Sequence, residues 1–139
     1  MITTTLLQLT PQAETVAMSR YYLKNENNEI IENADELFER VGKAIAMIDM
    51  DYGRMAPEAS MTALDFITIM KELKFIPNSP TLMNAGTNQG TLSACFVLPL
   101  EDSMEDIMST AHDIAMVQKF GGGTGFALSK LRPRGDKIK

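Results

Sequence analysis

The chain has 139 residues, of which 45% are apolar and 22% charged, with a net charge of −5 at neutral pH. That is the size of one small domain and the balance of an ordinary soluble protein. The acidic charge carries no basic block, which argues against a nucleic-acid backbone as partner, and no apolar run approaches the ~18 residues of a membrane span.

The opening MITTTLLQLTPQ lacks a basic start followed by a long apolar core, so it does not read as a secretion signal. A single cysteine cannot close an intrachain disulfide and fits a reducing cytoplasm. Eleven methionines without a tryptophan suit an adaptable core or a broad partner-facing surface.

Residues 1–10 read as a lead-in. A short helix is expected over 11–21, since Pro11 suits a first turn, and KNENN (24–28) is a polar turn. Over 33–50 the pattern is plainly helical. Asn33 is an N-cap with Glu36 in the capping-box position, and Leu37, Val41, Ala44, Ile45 and Ile48 recur on one face. Gly53 is the expected stop. A second helix is expected over 61–73, capped by Ser60 or Thr62, with Leu64, Phe66, Ile67, Met70 and Leu73 apolar and Pro77 barring extension. Residues 78–90 read as a loop. Residues 91–98 alternate as a strand, with Leu92, Ala94, Phe96 and Leu98 on one face and Thr91, Ser93 and Cys95 on the other. A third helix is expected over 104–120, capped by Ser103 with Asp106, with Ile107, Ala111, Ile114 and Gln118 along one side. The glycines at 121–125 end it, and a second strand is expected over 126–131. Two separated strands do not make an independently stable sheet, so the chain reads as the opening part of a longer protein.

Four groups of residues could carry chemistry. A lone cysteine in an apolar strand is often just a small buried residue, but Cys95 shares its face with hydroxyls, a better setting for thiol chemistry. A pair with His112 is conceivable, although a solvated place for that mid-helix imidazole is the plainer reading. One Cys and one His cannot make a zinc site, and no metal is expected. GGGTG (121–125) matches neither a P-loop nor a dinucleotide fingerprint, which follows a strand and opens a helix. A helix C-cap needs one or two glycines; the excess suggests a flat ligand or a tight chain crossing. Asn78-Ser79-Pro80-Thr81 offers hydroxyls and backbone N–H groups to a phosphate, or is simply a turn with local caps. Asp102, Lys119 and Arg132 are by default surface charges.

NSPTLMNAGT (78–87), LSACFVLPLEDS (92–103) and KFGGGTGFALSKLRPRGD (119–136) resemble the N-terminal part of the large catalytic chain of ribonucleotide reductases, above all the class II, adenosylcobalamin-dependent type. RYYLKNENNEIIENADELFERVGKAIA (20–46) is similar to the helical region that precedes the barrel in that family. The resemblance implies an α+β fragment: an N-terminal helical region over 1–74, then, over 75–139, the first strand–helix–strand elements of a ten-stranded α/β barrel. It implies radical reduction of ribonucleotides to 2′-deoxyribonucleotides for DNA synthesis, with adenosylcobalamin as cofactor. Cys95 matches one of the two cysteines that reduce the substrate and become a disulfide. Ser79 matches the hydroxyl residue holding the substrate's phosphates, and Ala94, Cys95 and Gly123 match positions lining the substrate. Asp102, Ser103, Met104, Lys119 and Arg132 match positions binding the specificity effector, a deoxynucleotide or ATP. Helix 104–120 matches a subunit-pairing helix of dimeric members, and a thioredoxin-like dithiol is the implied reductant.

The second redox cysteine and the thiyl-radical cysteine of the family lie beyond Lys139, so this chain alone is expected to be inactive without the downstream part. Two alternatives stay open: a class I large subunit, or a nonenzymatic nucleotide-sensing and dimerisation module built on helix 104–120.

Overall fold

A computed structural model describes residues 9–137; most of the lead-in expected at 1–10 lies outside the described residues. The chain forms two compact units, one ending at Leu92 and one beginning at Ser93.

The first unit is helical. Helix α1 (Pro11–Arg20) starts on Thr10, whose hydroxyl accepts from the Ala13 N–H. Helix α2 (Ala34–Met47) starts on the expected capping box: Asn33 Oδ1 accepts from Glu36 N at 3.1 Å and the Glu36 carboxylate from Asn33 N at 2.9 Å. It buries Leu37, Phe38, Val41, Gly42 and Ala46. A 3-10 turn (Ile48–Tyr52) leads to Gly53, which stops it at φ 90°, a left-handed conformation costly to any side chain.

Helix α3 (Ala56–Lys71) corrects the expectation of 61–73. Pro57 supplies a preset first turn, and the Glu58 carboxylate accepts from Met55 N at 3.3 Å. Ser60 and Thr62 are not caps; their hydroxyls donate back to Ala56 O and Glu58 O inside the helix. Ala59, Ala63, Ile67 and Met70 form the buried side, while Leu64 and Leu73 are exposed. Leu73 adopts φ 55° to close the helix, with Leu73 N bonded to Met70 O and Lys74 N to Ile69 O. This is the Schellman arrangement, with a leucine where glycine is usual. Helices α2 and α3 approach closely at Gly42, where a Cβ would stand 2.6 Å from Ile67 Cγ1.

The loop expected at 78–90 contains a further helix, α4 (Ser79–Asn84). Asn78 caps it, its Oδ1 accepting from Thr81 N at 2.9 Å, and Pro80 presets its first turn. Leu82 and Ala85 enter the same core as Leu37, Phe38 and Val41. The first compact unit includes this packing and runs to Leu92.

In the second unit strand β1 (Cys95–Leu98) pairs in parallel with β2 (Gly123–Phe126), and α5 (Met104–Lys119) is the crossover between them. The first strand starts later than the expected 91. The second is not 126–131 but the glycine run itself, drawn into register by its partner: Cys95 faces Gly123, Phe96 Thr124, Val97 Gly125 and Leu98 Phe126. Ser103 caps α5 by accepting from Asp106 N at 3.1 Å. Thr110 is buried and donates to Pro99 O at 2.8 Å. Ile107, Ile114 and Val117 flank it half-buried, whereas Ala111 and Gln118, expected on that side, are exposed. Gly121, at φ 82°, ends the helix. Gly122 then passes so close to Val117 and Phe96 that a Cβ would meet their side chains at 2.7 and 3.0 Å. An α+β architecture, helical unit first and parallel strand–helix–strand second, is what the structure contains.

Candidate functional site

The expected substrate-lining residues Ala94, Cys95 and Gly123 meet where the two strands begin. Gly123 N donates to Ala94 O at 2.7 Å, and Gly123 lies directly across from Cys95. A Cβ at position 123 would stand 3.9 Å from Cys95 Sγ, so glycine there leaves the space over the sulfur open. The thiol is free and exposed. Alternation places Cys95 and Val97 on the exposed face and turns Phe96 and Leu98 the other way, half-buried. Gly125 stands opposite Val97, and a Cβ added to it would meet nothing within 4 Å. The result is a flat surface bearing one thiol, with no side chain on the facing strand at 123 or 125 to block close approach.

His112 takes no part in this surface. Its side chain is 72% exposed and lies 3.3 Å from Asp113, its chain neighbour. Among the described residues no three His, Cys, Asp or Glu side chains gather as a metal cage, and no helix is long and apolar enough to cross a membrane.

A second cluster surrounds the start of α5. Asp102, Ser103, Met104 and Arg132 line one open cleft of about 1230 Å³, together with Glu105, Ile107, Asp136 and Lys137. Arg132 Nε donates to the Asp102 carboxylate, with contacts of 2.8 and 3.0 Å to its two oxygens. Its Nη2 reaches Asp102 O at 3.3 Å and its Nη1 donates to Lys137 O at 3.0 Å. Lys130 pairs with Glu101 beside it. The cleft thus carries carboxylate acceptors and a guanidinium held in place by Asp102 and the Lys137 carbonyl. Lys119 is not in it. It ends α5, about 22 Å along the axis from Met104, with its ammonium 5.6 Å from the Phe120 ring centroid.

Ser79, in the first unit, opens α4 half-buried, its hydroxyl 3.1 Å from that of Tyr21. Pro80 has no N–H, and the Thr81 N–H is spent on Asn78, so fewer backbone donors point outward than the sequence alone suggested. The segment is held by Arg40, which sequence reasoning missed. Its Nη1 donates to Ala85 O at 2.6 Å and its Nη2 to Leu82 O at 3.1 Å, while Glu32 accepts from Nε and Nη2 at 2.7 and 2.9 Å. The Arg40 and Glu32 side chains are 11% and 5% exposed. Nearby, burial first and then the hydrogen bond to Glu14 push the Tyr22 phenol above its ordinary range.

Residues 7–90 match the all-alpha domain of ribonucleotide reductase, and residues 93–139 match its barrel domain. The chain belongs to the ribonucleotide reductase family. The two matched regions meet where the compact units divide. Among curated relatives, the vitamin B12-dependent ribonucleoside-diphosphate reductase of Mycobacterium tuberculosis is 44% identical over 95% of this chain and 19% of that protein. The enzyme of the same name from Thermoplasma acidophilum is 36% identical over 95% of the chain and 24% of that protein. The ribonucleoside-diphosphate reductase large subunit of Variola virus is 33% identical over 87% of the chain and 14% of that protein. The chain therefore spans about a fifth of the length of the B12-dependent reductases it matches.

Proposed function

We propose that this chain is the N-terminal part of an adenosylcobalamin-dependent ribonucleotide reductase, and that Cys95 is one of the two thiols that reduce the substrate. The observation carrying the reading is the pairing of an exposed, free Cys95 with Gly123 on a flat, side-chain-poor strand face. A nucleotide sugar needs its carbons within reach of a sulfur, and a glycine opposite permits that approach. Greater identity to the B12-dependent relatives than to the viral large subunit favours class II over class I.

In this reading Ser79 holds the substrate's phosphates, and Ala94, Cys95 and Gly123 line its sugar. The 2′-hydroxyl leaves as water, and the two electrons come from Cys95 and a second cysteine supplied by the downstream part of the reductase. The pair ends as a disulfide, which a thioredoxin-like dithiol restores; such chemistry suits the reducing cytoplasm. Adenosylcobalamin, when bound, supplies the radical that starts the reaction. The apolar pocket of the first unit, about 410 Å³ with Thr81 as its one hydroxyl, has too few polar groups for a corrinoid's rim of amides. This chain's own work is to orient the sugar against a thiol.

Asp102, Ser103, Met104, Lys119 and Arg132 are the proposed contacts of the specificity effector, a deoxynucleotide or ATP. Shared lining of one cleft by four of them supports this. Because Lys119 stands at the far end of α5, it would meet the effector at a different point. Met104, Met108, Met116 and Phe120 are 41–68% exposed on or beside α5, which supports pairing of two subunits through that helix.

The test is Cys95→Ser in the complete reductase. Turnover with a dithiol reductant should fall by orders of magnitude, because a hydroxyl cannot become a disulfide, while substrate affinity and melting temperature stay close to those of the parent. Near-normal turnover removes Cys95 from the redox pair.

A further inference from the structure

Ser79 shares its hydroxyl with Tyr21, a residue 58 positions earlier that the proposed function leaves without a role. The two oxygens are 3.1 Å apart, both residues are half-buried, and either can be the donor. Both ends of this contact are fixed by one guanidinium. Arg40 reaches Tyr21 O at 3.5 Å on one side, and Leu82 O and Ala85 O at 3.1 and 2.6 Å on the other. Arg20 adds a cation 5.9 Å over the Tyr21 ring. Neighbouring groups offer little competition. The Thr81 hydroxyl turns inward to Asn78 Oδ1 and Leu92 O, and Pro80 has no N–H to give.

A serine hydroxyl has one proton and can accept more than one. If Ser79 donates to Tyr21, it has nothing to offer an anion. If Tyr21 donates to Ser79, the serine proton is released outward and the chain of two hydroxyls is polarised in the useful direction. We propose that Tyr21 is a positioning residue for the substrate's phosphate: its phenol donates to Ser79 Oγ and thereby commits the serine proton to a phosphate oxygen. This rests on the reading that Ser79 holds the substrate's phosphates. Tyr21 itself does not touch the anion; it sets the direction of the bond Ser79 makes.

The experiment uses the complete reductase carrying this segment, as Tyr21→Phe, Ser79→Ala and the double variant. A ribonucleoside diphosphate is the substrate and the corresponding unphosphorylated nucleoside the competing ligand. Phenylalanine keeps the ring and its packing, and a melting temperature on each variant checks that the fold is retained. Tyr21→Phe should raise KM for the diphosphate by about three- to tenfold, with kcat within about twofold of the parent and nucleoside affinity unchanged. The effect should vanish when Ser79 is already alanine. A diphosphate KM unmoved by Tyr21→Phe, an equal loss for nucleoside and diphosphate, or full additivity in the double variant overturns the proposal. If Ser79→Ala weakens diphosphate binding and Tyr21→Phe does not, the relay alone is wrong. If Ser79→Ala changes nothing, the phosphate role of Ser79 falls and the relay with it.

Discussion

Replacing Arg40 by methionine should destabilise the first unit by about 3–5 kcal/mol. Methionine keeps much of the aliphatic stem but removes the guanidinium. Lost with it are two contacts to Glu32, at 2.7 and 2.9 Å, and those to Ala85 O and Leu82 O, at 2.6 and 3.1 Å. What remains is a carboxylate only 5% exposed, with Leu23 N, at 3.1 Å, as its other donor. Each orphaned carbonyl alone would cost about 1–3 kcal/mol, but water entering the gap keeps the sum within the range of a broken buried pair. Against a domain stability of about 5–15 kcal/mol, this brings the unit near its unfolding threshold. Tyr21, Tyr22 and Tyr52 are the chain's three tyrosines and all lie before Leu92, so tyrosine fluorescence in urea reports this unit selectively. The midpoint should fall by about 1–5 M, taking a slope of about 1–3 kcal/mol per M. Adding Glu32→Gln, which removes the stranded charge and keeps an acceptor for Leu23 N, should restore about half of the loss. A loss below about 1 kcal/mol for Arg40→Met, or no recovery in the double variant, would mean that the pair is solvated and that the α4 segment is held by Leu82 and Ala85 packing alone.

Gly122→Ala should cost about 1–3 kcal/mol, because its Cβ would meet Val117 and Phe96 at 2.7 and 3.0 Å. Gly125→Ala, with nothing within 4 Å, should change stability by less than about 0.5 kcal/mol; amide exchange across β1 and β2 reads both, and equal effects would contradict the packing described for Gly122. Arg132→Ala in the complete reductase should weaken deoxynucleotide effector binding about tenfold or more, through loss of a charge-assisted contact. Equilibrium dialysis measures it, and unchanged affinity would take Arg132 out of the effector site.

Local chemistry made much of this protein legible in its residues. The Asn33–Glu36 capping box, the Ser103 cap and the Gly53 stop each depend on groups within four positions of one another, and each stands where the pattern indicates. The alternation that puts Cys95 on the exposed strand face is equally local, since a strand turns every second side chain the same way. The family motifs run in the right order along the chain, and both family domains match it.

Other features were decided by residues brought together from far along the chain. Four residues carrying two glycines have little strand propensity of their own; Gly123–Phe126 becomes a strand because β1 offers backbone partners in register. A turn-rich stretch becomes α4, anchored by an arginine more than forty positions earlier. The Tyr21–Ser79 contact has the same origin. Hydrogen-bond partners 42–58 positions apart leave no periodicity in the sequence, because nothing local ties one residue's identity to the other's; only folding of the helical core sets the distance between them.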